Sequence, residues 1–201
     1  MFLFFIESAT VDLENLVDVY RINSGYREND NQLTRDANLT FDMSKRTGIG
    51  IPFITALVGA YSRESGYNEC ASDLREATCR TLEVLQSTQG DVSDATALVG
   101  AYSRESGYNE CASNLREATC RTLEYLSRKG LNLDLVIKRI EEINKEEKKK
   151  IDERYKQRIE EIRNKHLGPS RWTRLVKEWY VFRFNKDPSF NARELCDKVT
   201  D

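Results

Sequence analysis

Cysteine and histidine are the residues of this chain that could act as nucleophiles or bind a metal ion. The chain has one histidine, His166, and five cysteines: Cys70, Cys79, Cys111, Cys120 and Cys196. The cysteines form no CxxC pairs, which argues against a zinc site, and their odd number favours reduced, mostly buried thiols over a disulfide framework. A Cys–His nucleophile would need His166, which lies in a highly charged stretch. Since the sequence also lacks phosphate-loop, HExxH and GxSxG motifs, we expect no catalytic residue, metal or cofactor.

A second candidate for chemistry is the segment Ser-Arg-Glu-Ser-Gly-Tyr-Asn-Glu, which occurs twice and has a weaker copy upstream. Its tyrosine and its last glutamate recur every 41 residues, and these candidate partner-binding residues are Tyr26, Tyr67, Tyr108, Glu28, Glu69 and Glu110. If the segments are turns along one edge of a repeat array, they would offer these side chains to a protein partner. Alternatively, glycine reverses the chain, tyrosine staples the hairpin and glutamate favours a helix N-terminus. The pattern alone favours this second, structural interpretation.

A third candidate lies near the C-terminus, where basic residues alternate with aromatic ones such as Trp172 and Trp179. The basic residues are Arg171, Arg174, Lys177, Arg183 and Lys186. Such a segment could bind nucleic acid or an acidic surface. It could equally form an amphipathic helix with a solvated basic side, or cover an acidic part of the same chain. The core-facing amphipathic helix is the interpretation that the pattern favours.

These candidates sit within an internal repeat, which must position them. Residues 55–85 recur as residues 96–126, and 29 of the 31 positions are identical. A weaker copy covers about residues 14–44. Nine of its residues match those 41 positions later, namely Leu16, Val17, Tyr20, Ser24, Gly25, Tyr26, Glu28, Leu33 and Thr40. A period of this length with two helices per unit is typical of an α-solenoid, in which stacked units bury one continuous core.

Within each unit the apolar spacing predicts two helices around a turn. In the middle copy Ile54, Leu57, Val58 and Tyr61 lie on one face of the first helix. Gly66 is expected to end that helix in the left-handed conformation. The second helix is predicted over about residues 68–86, with Asn68 or Asn109 at its start and Gly90 or Gly130 at its end. Ser93 or Asp94 is expected to start the following unit.

The remaining third of the chain has a different composition. Residues 131–167 are rich in charge and contain neither proline nor glycine, which predicts one long helix with a thin apolar stripe at an eleven-residue spacing. The turn from Asn144 to Lys150 has no apolar residue and is expected to stand in water. This helix could mediate dimerisation, pack on the repeats, or project as a spacer. Residues 168–201 are predicted to form a short helical pair. The sequence therefore predicts an all-α fold with a repeat domain over residues 1–130 and two C-terminal segments.

Charge is divided unequally along the chain. Residues 1–130 carry 13 basic and 19 acidic residues, whereas residues 131–201 carry 18 basic and 14 acidic ones. This asymmetry predicts either a charged partner or attraction between the two parts. The apolar N-terminus is too short for a signal peptide and no stretch is long enough for a membrane span, so we expect an intracellular, cytoplasmic protein. The favoured function is a non-enzymatic module for protein–protein interaction or self-assembly; the alternative is a nucleic-acid-associated protein that uses residues 171–186.

Overall fold

Helices form all the regular structure in the described part of the chain. A computed structural model describes residues 2–106, 109–164, 173–174 and 191–200, with residues 2–9 and 162–164 described as backbone only. Its helices are α1 (Phe2–Asn23), α2 (Asp30–Thr47), α3 (Ile51–Glu64), α4 (Ala71–Thr88), α5 (Val92–Glu105), α6 (Ala112–Lys129), α7 (Leu133–Asn164) and α8 (Ala192–Thr200). The described ranges contain no strand. The predicted all-α repeat fold is confirmed.

The helices pair into hairpin units that stack in two layers. Unit 1 is α1–α2, unit 2 is α3–α4, and unit 3 is α5–α6. The first helices α1, α3, α5 and α7 each contact the next one along, and so do the second helices α2, α4, α6 and α8. Every unit therefore buries its apolar face against its neighbours, as expected for a solenoid.

The core follows the predicted helix faces. The predicted stripe of α3, which is Ile54, Leu57, Val58 and Tyr61, is fully buried. Inside each unit a tyrosine of the first helix bonds a threonine of the second: Tyr20–Thr40 at 2.6 Å, Tyr61–Thr81 at 2.7 Å and Tyr102–Thr122 at 2.6 Å. Each threonine hydroxyl donates to a carbonyl of its own helix, so the tyrosine hydroxyl is the donor in these pairs. The hydroxyl groups of these buried tyrosines and threonines are therefore hydrogen-bonded, as buried polar groups normally are.

Helices α7 and α8 occupy the places of a fourth unit. Val136, Ile140 and Ile143 are buried and lie 41 residues after residues of α5 that are also buried. Ser62 and Ser103 donate to backbone carbonyls at the end of the preceding first helix. Asn144, at the equivalent position, donates its amide N–H to the side-chain Oε2 of Glu105 at 2.8 Å. The expectation that Asn144 stands in water is therefore wrong, because this amide forms a contact between units. Only the residues after it, from Lys145 to Lys150, are largely exposed.

Several predicted helix boundaries are corrected. Helices α4 and α6 begin after Cys70 and Cys111 rather than at the asparagines, and α5 is capped by Asp91. Gly130 ends α6 in the left-handed conformation as predicted, but Gln89 takes that role in α4. Gly66 does not adopt a positive φ. Glycine is needed at this position because the turn of the next unit lies against it.

The first helix of unit 4 is much longer than its equivalents. Helix α7 has 32 residues, whereas α3 and α5 have 14 each. Its second part, Lys145–Asn164, therefore extends about 30 Å beyond the contact made by Asn144. Among the described helices, none combines the length and the apolar character needed to cross a membrane.

Candidate interaction surface

The turns between first and second helices lie side by side along one edge of the stack, which we call the turn edge. It comprises residues 24–29 in unit 1, residues 65–70 in unit 2, the described residues 106 and 109–111 of unit 3, and the last turns of α1, α3 and α5. Two kinds of bond hold neighbouring turns together: one between backbones, and one from a glutamate side chain to the next helix.

The backbone bonds bring consecutive turns unusually close. The N–H of Gly25 donates to the carbonyl of Glu69 at 2.9 Å, and the N–H of Gly66 donates to the carbonyl of Glu110 at 2.8 Å. A β-carbon added to Gly25 would lie 2.7 Å from Asn68 Cα, and one added to Gly66 would lie 2.8 Å from Asn109 Cα. Real β-carbons do not come so near to backbone atoms. Glycine is thus required at these positions by the stacking of one turn on the next.

The glutamates cap helices of the following unit. Glu28 accepts a hydrogen bond from the N–H of Ala71, and Glu69 accepts one from Ala112 at 2.7 Å. Glu110 accepts from Ala192 at 2.7 Å, which ties α8 into the same series. Neither Cys70 nor Cys111 makes a side-chain cap bond of its own. A carboxylate at the positive N-terminal end of a helix is favourable, and it satisfies an N–H that the helix leaves unpaired.

The candidate partner-binding residues consequently have two different surroundings. Glu69 and Glu110 are only 8% and 2% exposed, so their carboxylates serve the next unit rather than the surface. Tyr26 and Tyr67 are 58% and 60% exposed, so the larger part of each residue lies at the surface. Tyr108 lies outside the described residues. A partner-binding role of the tyrosines stays a prediction.

The turn edge also presents arginines that the sequence analysis did not single out. Arg63 and Arg104 lie in the last turns of α3 and α5, with side chains that are 72% and 61% exposed. Each is near the adjacent glutamate, Glu64 or Glu105, at 3.4 Å and 3.6 Å. Pairs this exposed are weak, which leaves the guanidinium groups accessible to other acidic groups. The sequence signal that could have identified them is that arginine recurs at the same position of the repeat, as Arg63 and Arg104.

On the surface formed by the second helices, charged side chains of neighbouring helices pair with one another. Ion pairs cross between neighbouring helices of this layer, joining Arg46 to Glu83, Arg116 to Glu76, Arg193 to Glu117, and Arg121 to Asp197. Cys79 and Cys120 line the hollow between these side chains. Burial raises the pKa of both thiols, so they are protonated at neutral pH and are poor nucleophiles. All five cysteines are free thiols.

The alternative nucleic-acid site falls mostly outside the described residues. Only Arg174 among its five basic residues is described, and it is exposed. Arg171, Lys177, Arg183 and Lys186 lie outside the described part of the chain. Within the described residues, no group of three or more histidine, cysteine or acidic side chains could hold a metal ion.

Comparison with known proteins gives a structural similarity. No family model and no curated protein matches the chain. The chain is similar to the crystal structure of a de novo designed helical repeat protein, with 20% sequence identity, coverage of 96% of this chain and 97% of the designed one, and a TM-score of 0.45. At this identity and TM-score the similarity supports no argument about function. The candidate surface must be interpreted from its own residues.

Proposed function

We propose that the chain is a non-enzymatic protein-interaction module that binds its partner through the turn edge, with the exposed tyrosines as the main contacts. Its stacked units supply a rigid support, and the described turns of units 1 and 2 each display one tyrosine. Adjacent packed helices are about 8–10 Å apart, so successive tyrosines would meet successive side chains of a protein partner.

The observation that carries this proposal is that the recurring turn tyrosine is largely exposed in the two units where the structure describes it. Nine residues are shared by all three copies of the repeat. In the divergent first copy, Leu16, Tyr20, Leu33 and Thr40 are buried, and Val17 packs against the core. Ser24 bonds Glu28, which caps α4, and Gly25 allows the close approach of the next turn. Tyr26 is the remaining shared residue, and its side chain is largely exposed.

The chemistry of the edge suits a protein partner. Tyrosine and arginine are enriched among the residues that dominate binding energy at protein interfaces. Tyrosine offers a large contact area with few rotatable bonds, and arginine adds directional hydrogen bonds to carboxylates. Tyr67 and Arg63 supply this combination in unit 2, where both are largely exposed.

The proposal is tested by site-specific photo-crosslinking in the organism that produces the protein. A photoreactive phenylalanine analogue replaces Tyr67 in one variant and Leu39 in the control. Leu39 is also an exposed apolar residue, at 44%, but it lies on α2 away from the turn edge. We expect a discrete protein adduct from position 67 that is absent at position 39.

The adduct must then be confirmed by affinity. The partner identified by mass spectrometry is purified, and its Kd is measured for the wild type and for Y26A/Y67A. We expect binding at least about tenfold weaker in the variant, or roughly 1.4 kcal/mol. The same adducts at both positions, or unchanged affinity in a variant with a wild-type circular dichroism spectrum, would show that the tyrosines are not the binding residues.

A further inference from the structure

The edge of the stack opposite the turn edge exposes a different set of side chains. This loop edge comprises the ends of α2, α4 and α6 and the starts of α3, α5 and α7. It exposes three large apolar side chains: Phe53 at 59%, Leu131 at 41% and Leu135 at 60%. Asp91, Asp94 and Asp134 lie close enough to interact, since burial and then its two like-charged neighbours raise the pKa of Asp94. Apolar groups and carboxylates therefore share this edge.

Several helix ends at the two edges carry opposite charge, although Arg63 and Arg104 are each followed by a glutamate, Glu64 or Glu105. At the turn edge the first helices α3 and α5 end in Arg63 and Arg104, and the second helices α2 and α4 begin with Asp30 and Asp73 in their first turns. At the loop edge the first helices α5 and α7 begin with Asp94 and Asp134. The second helices α2 and α6 end there with Lys45, Arg46, Arg128 and Lys129. Placing the loop edge of one molecule on the turn edge of another, one unit along, would thus set Asp94 against Arg63 and Asp134 against Arg104 in the first layer. In the second layer it would set Arg128 and Lys129 against Asp73.

We propose that the partner of the turn edge is the loop edge of a second copy of this chain, in a head-to-tail contact. The inference rests on the proposed function, because it assigns a partner to the same surface. In this contact the exposed Tyr26 of the turn edge meets the exposed Phe53 of the loop edge. The arginines that end the first helices meet the aspartates that begin the first helices of the next molecule.

The length of α7 sets the register of the contact. In an unshifted stack, Lys145–Asn164 of one molecule would occupy the space needed by α7 of the next. A shift of one unit removes this clash, because units 2–4 of the second copy then sit on units 1–3 of the first.

That same shift also matches the contacting groups. Phe53 of unit 2 faces Tyr26 of unit 1, and Asp94 of unit 3 faces Arg63 of unit 2. Asp134 and Leu135 of unit 4 face the described part of the turn edge of unit 3, which includes Arg104. Steric fit therefore selects this register, and the contacts of Phe53 with Tyr26, Asp94 with Arg63 and Asp134 with Arg104 accompany it.

A contact between two different edges leaves one edge free on each terminal molecule. Such heterologous contacts grow into open chains or close into rings. The weight-average mass in solution should accordingly rise with protein concentration above the monomer mass of 23.3 kDa. Because charge pairs at the rim are screened by salt, high ionic strength should lower it.

A charge-exchange experiment tests the contact in the full-length chain. The variant R63E/R104E makes the turn edge acidic, and D94K/D134K makes the loop edge basic. Sedimentation velocity from low to high micromolar concentration should show each variant at the monomer mass, since like charges then oppose each other across the contact. An equimolar mixture should regain the mass of the wild type, because each variant then finds an opposite edge on the other. The matched control, R121E/D197R, reverses an ion pair between the middle of α6 and α8, away from both edges, and should assemble like the wild type.

The outcomes separate this inference from the proposed function. A wild type that stays monomeric at every concentration would overturn it, as would assembly of the separate variants or a mixture of well-folded variants that remains monomeric. Thermal unfolding of each variant verifies folding. If the crosslink from position 67 joins a different protein, the self-contact is wrong while the proposed function stands. A crosslink to a peptide around Phe53 or Asp94 of a second copy supports both.

Discussion

Tyrosine occupies two positions in each of the first two units, with opposite surroundings. Tyr20 and Tyr61 point into the core and donate to a threonine, whereas Tyr26 and Tyr67 extend from the turns into solvent. The core position could be predicted from its helical spacing to other apolar residues. The turn tyrosine lies outside the helices and has no helical spacing to other apolar residues. The sequence alone therefore could not show whether its ring packs on the hairpin or is exposed.

Glycine at the turns illustrates the same limit of local reasoning. A Ser-Gly pair after a helix usually indicates a left-handed residue, yet Gly66 has no positive φ. Its requirement comes from Asn109, which is distant in sequence and lies against it in the next unit. Local conformational preferences do not contain this information.

Replacement of Gly66 by alanine should separate the turns of units 2 and 3. The added β-carbon would lie 2.8 Å from Asn109 Cα, so the bond from Gly66 to Glu110 must lengthen or break. We expect the free energy of unfolding in urea to fall by about 1–3 kcal/mol, the usual range for overpacking. Gly100→Ala is the matched control. A β-carbon there meets nothing within 4 Å, in the middle of α5, so we expect a gain of roughly 0.5–1 kcal/mol. Equal effects of the two substitutions would contradict the stacking role.

At the scale of the helices, each unit is completed by the one before it. The glutamate of one turn caps the second helix of the next unit, from Glu28 to α4, from Glu69 to α6 and from Glu110 to α8. Helix α2 instead uses its own Asn29, whose side chain accepts from Gln32. Asparagine near a predicted helix start is a reasonable local signal, but it misplaced the starts of α4 and α6. Their cap comes from a residue far away in the sequence.

Removal of one of these carboxylates should weaken a specific helix. Glu69→Ala leaves the N–H of Ala112 unpaired at the buried start of α6, and we expect a loss of about 1–2 kcal/mol in the free energy of unfolding. Glu69→Gln keeps an acceptor oxygen and should lose less. Hydrogen exchange should show the protection lost first in the initial turn of α6. If exchange increases evenly over all helices, the glutamate acts on the stack as a whole rather than as a cap.

The fourth unit shows how far the repeat could be followed from the sequence. Its first helix keeps the buried positions Val136, Ile140 and Ile143, but a different residue type stands at each compared with unit 3. Its second helix begins with Ala192, which follows Ala112 by 80 residues instead of 41. A search for identical residues 41 positions apart therefore detects neither helix of unit 4. Unit 4 keeps the apolar, buried character of the repeat positions but not their residue types.

At the scale of the whole molecule, the two described ion pairs of α8 run in opposite senses, so they do not use the charge asymmetry of the sequence. Helix α8 joins the acidic array through Arg193–Glu117 and Arg121–Asp197, and α7 joins it through Asn144. These exposed pairs contribute little individually. The described contacts between the two parts therefore depend mainly on apolar packing of Ile140, Leu195 and Cys196, which are fully buried. Attraction between the two parts stays a prediction.

The core shared by all units should make the molecule sensitive to alkaline pH. Burial raises the pKa of Tyr20, Tyr61 and Tyr102 above the ordinary value near 10. Above that pH the unfolded chain loses these protons while the folded chain keeps them, so the free energy of unfolding decreases as pH rises. Each tyrosine contributes about 1.4 kcal/mol per pH unit, or roughly 4 kcal/mol for the three. The raised thiol pKa of Cys79 and Cys120 should begin the decline earlier, near about pH 8.5.

Urea unfolding followed by circular dichroism, under reducing conditions at successive alkaline pH values, measures this decline. Tyr61→Phe provides the internal comparison. It removes one titrating phenol and also the hydrogen bond to Thr81, so it should lower stability by about 1 kcal/mol near neutral pH. Above about pH 10 its slope should be shallower by about 1.4 kcal/mol per pH unit, because one buried phenol fewer titrates. The two curves should therefore converge as pH rises. Parallel curves would mean that Tyr61 ionises equally in the folded and unfolded chains, and would contradict its placement in a closed core between α3 and α4.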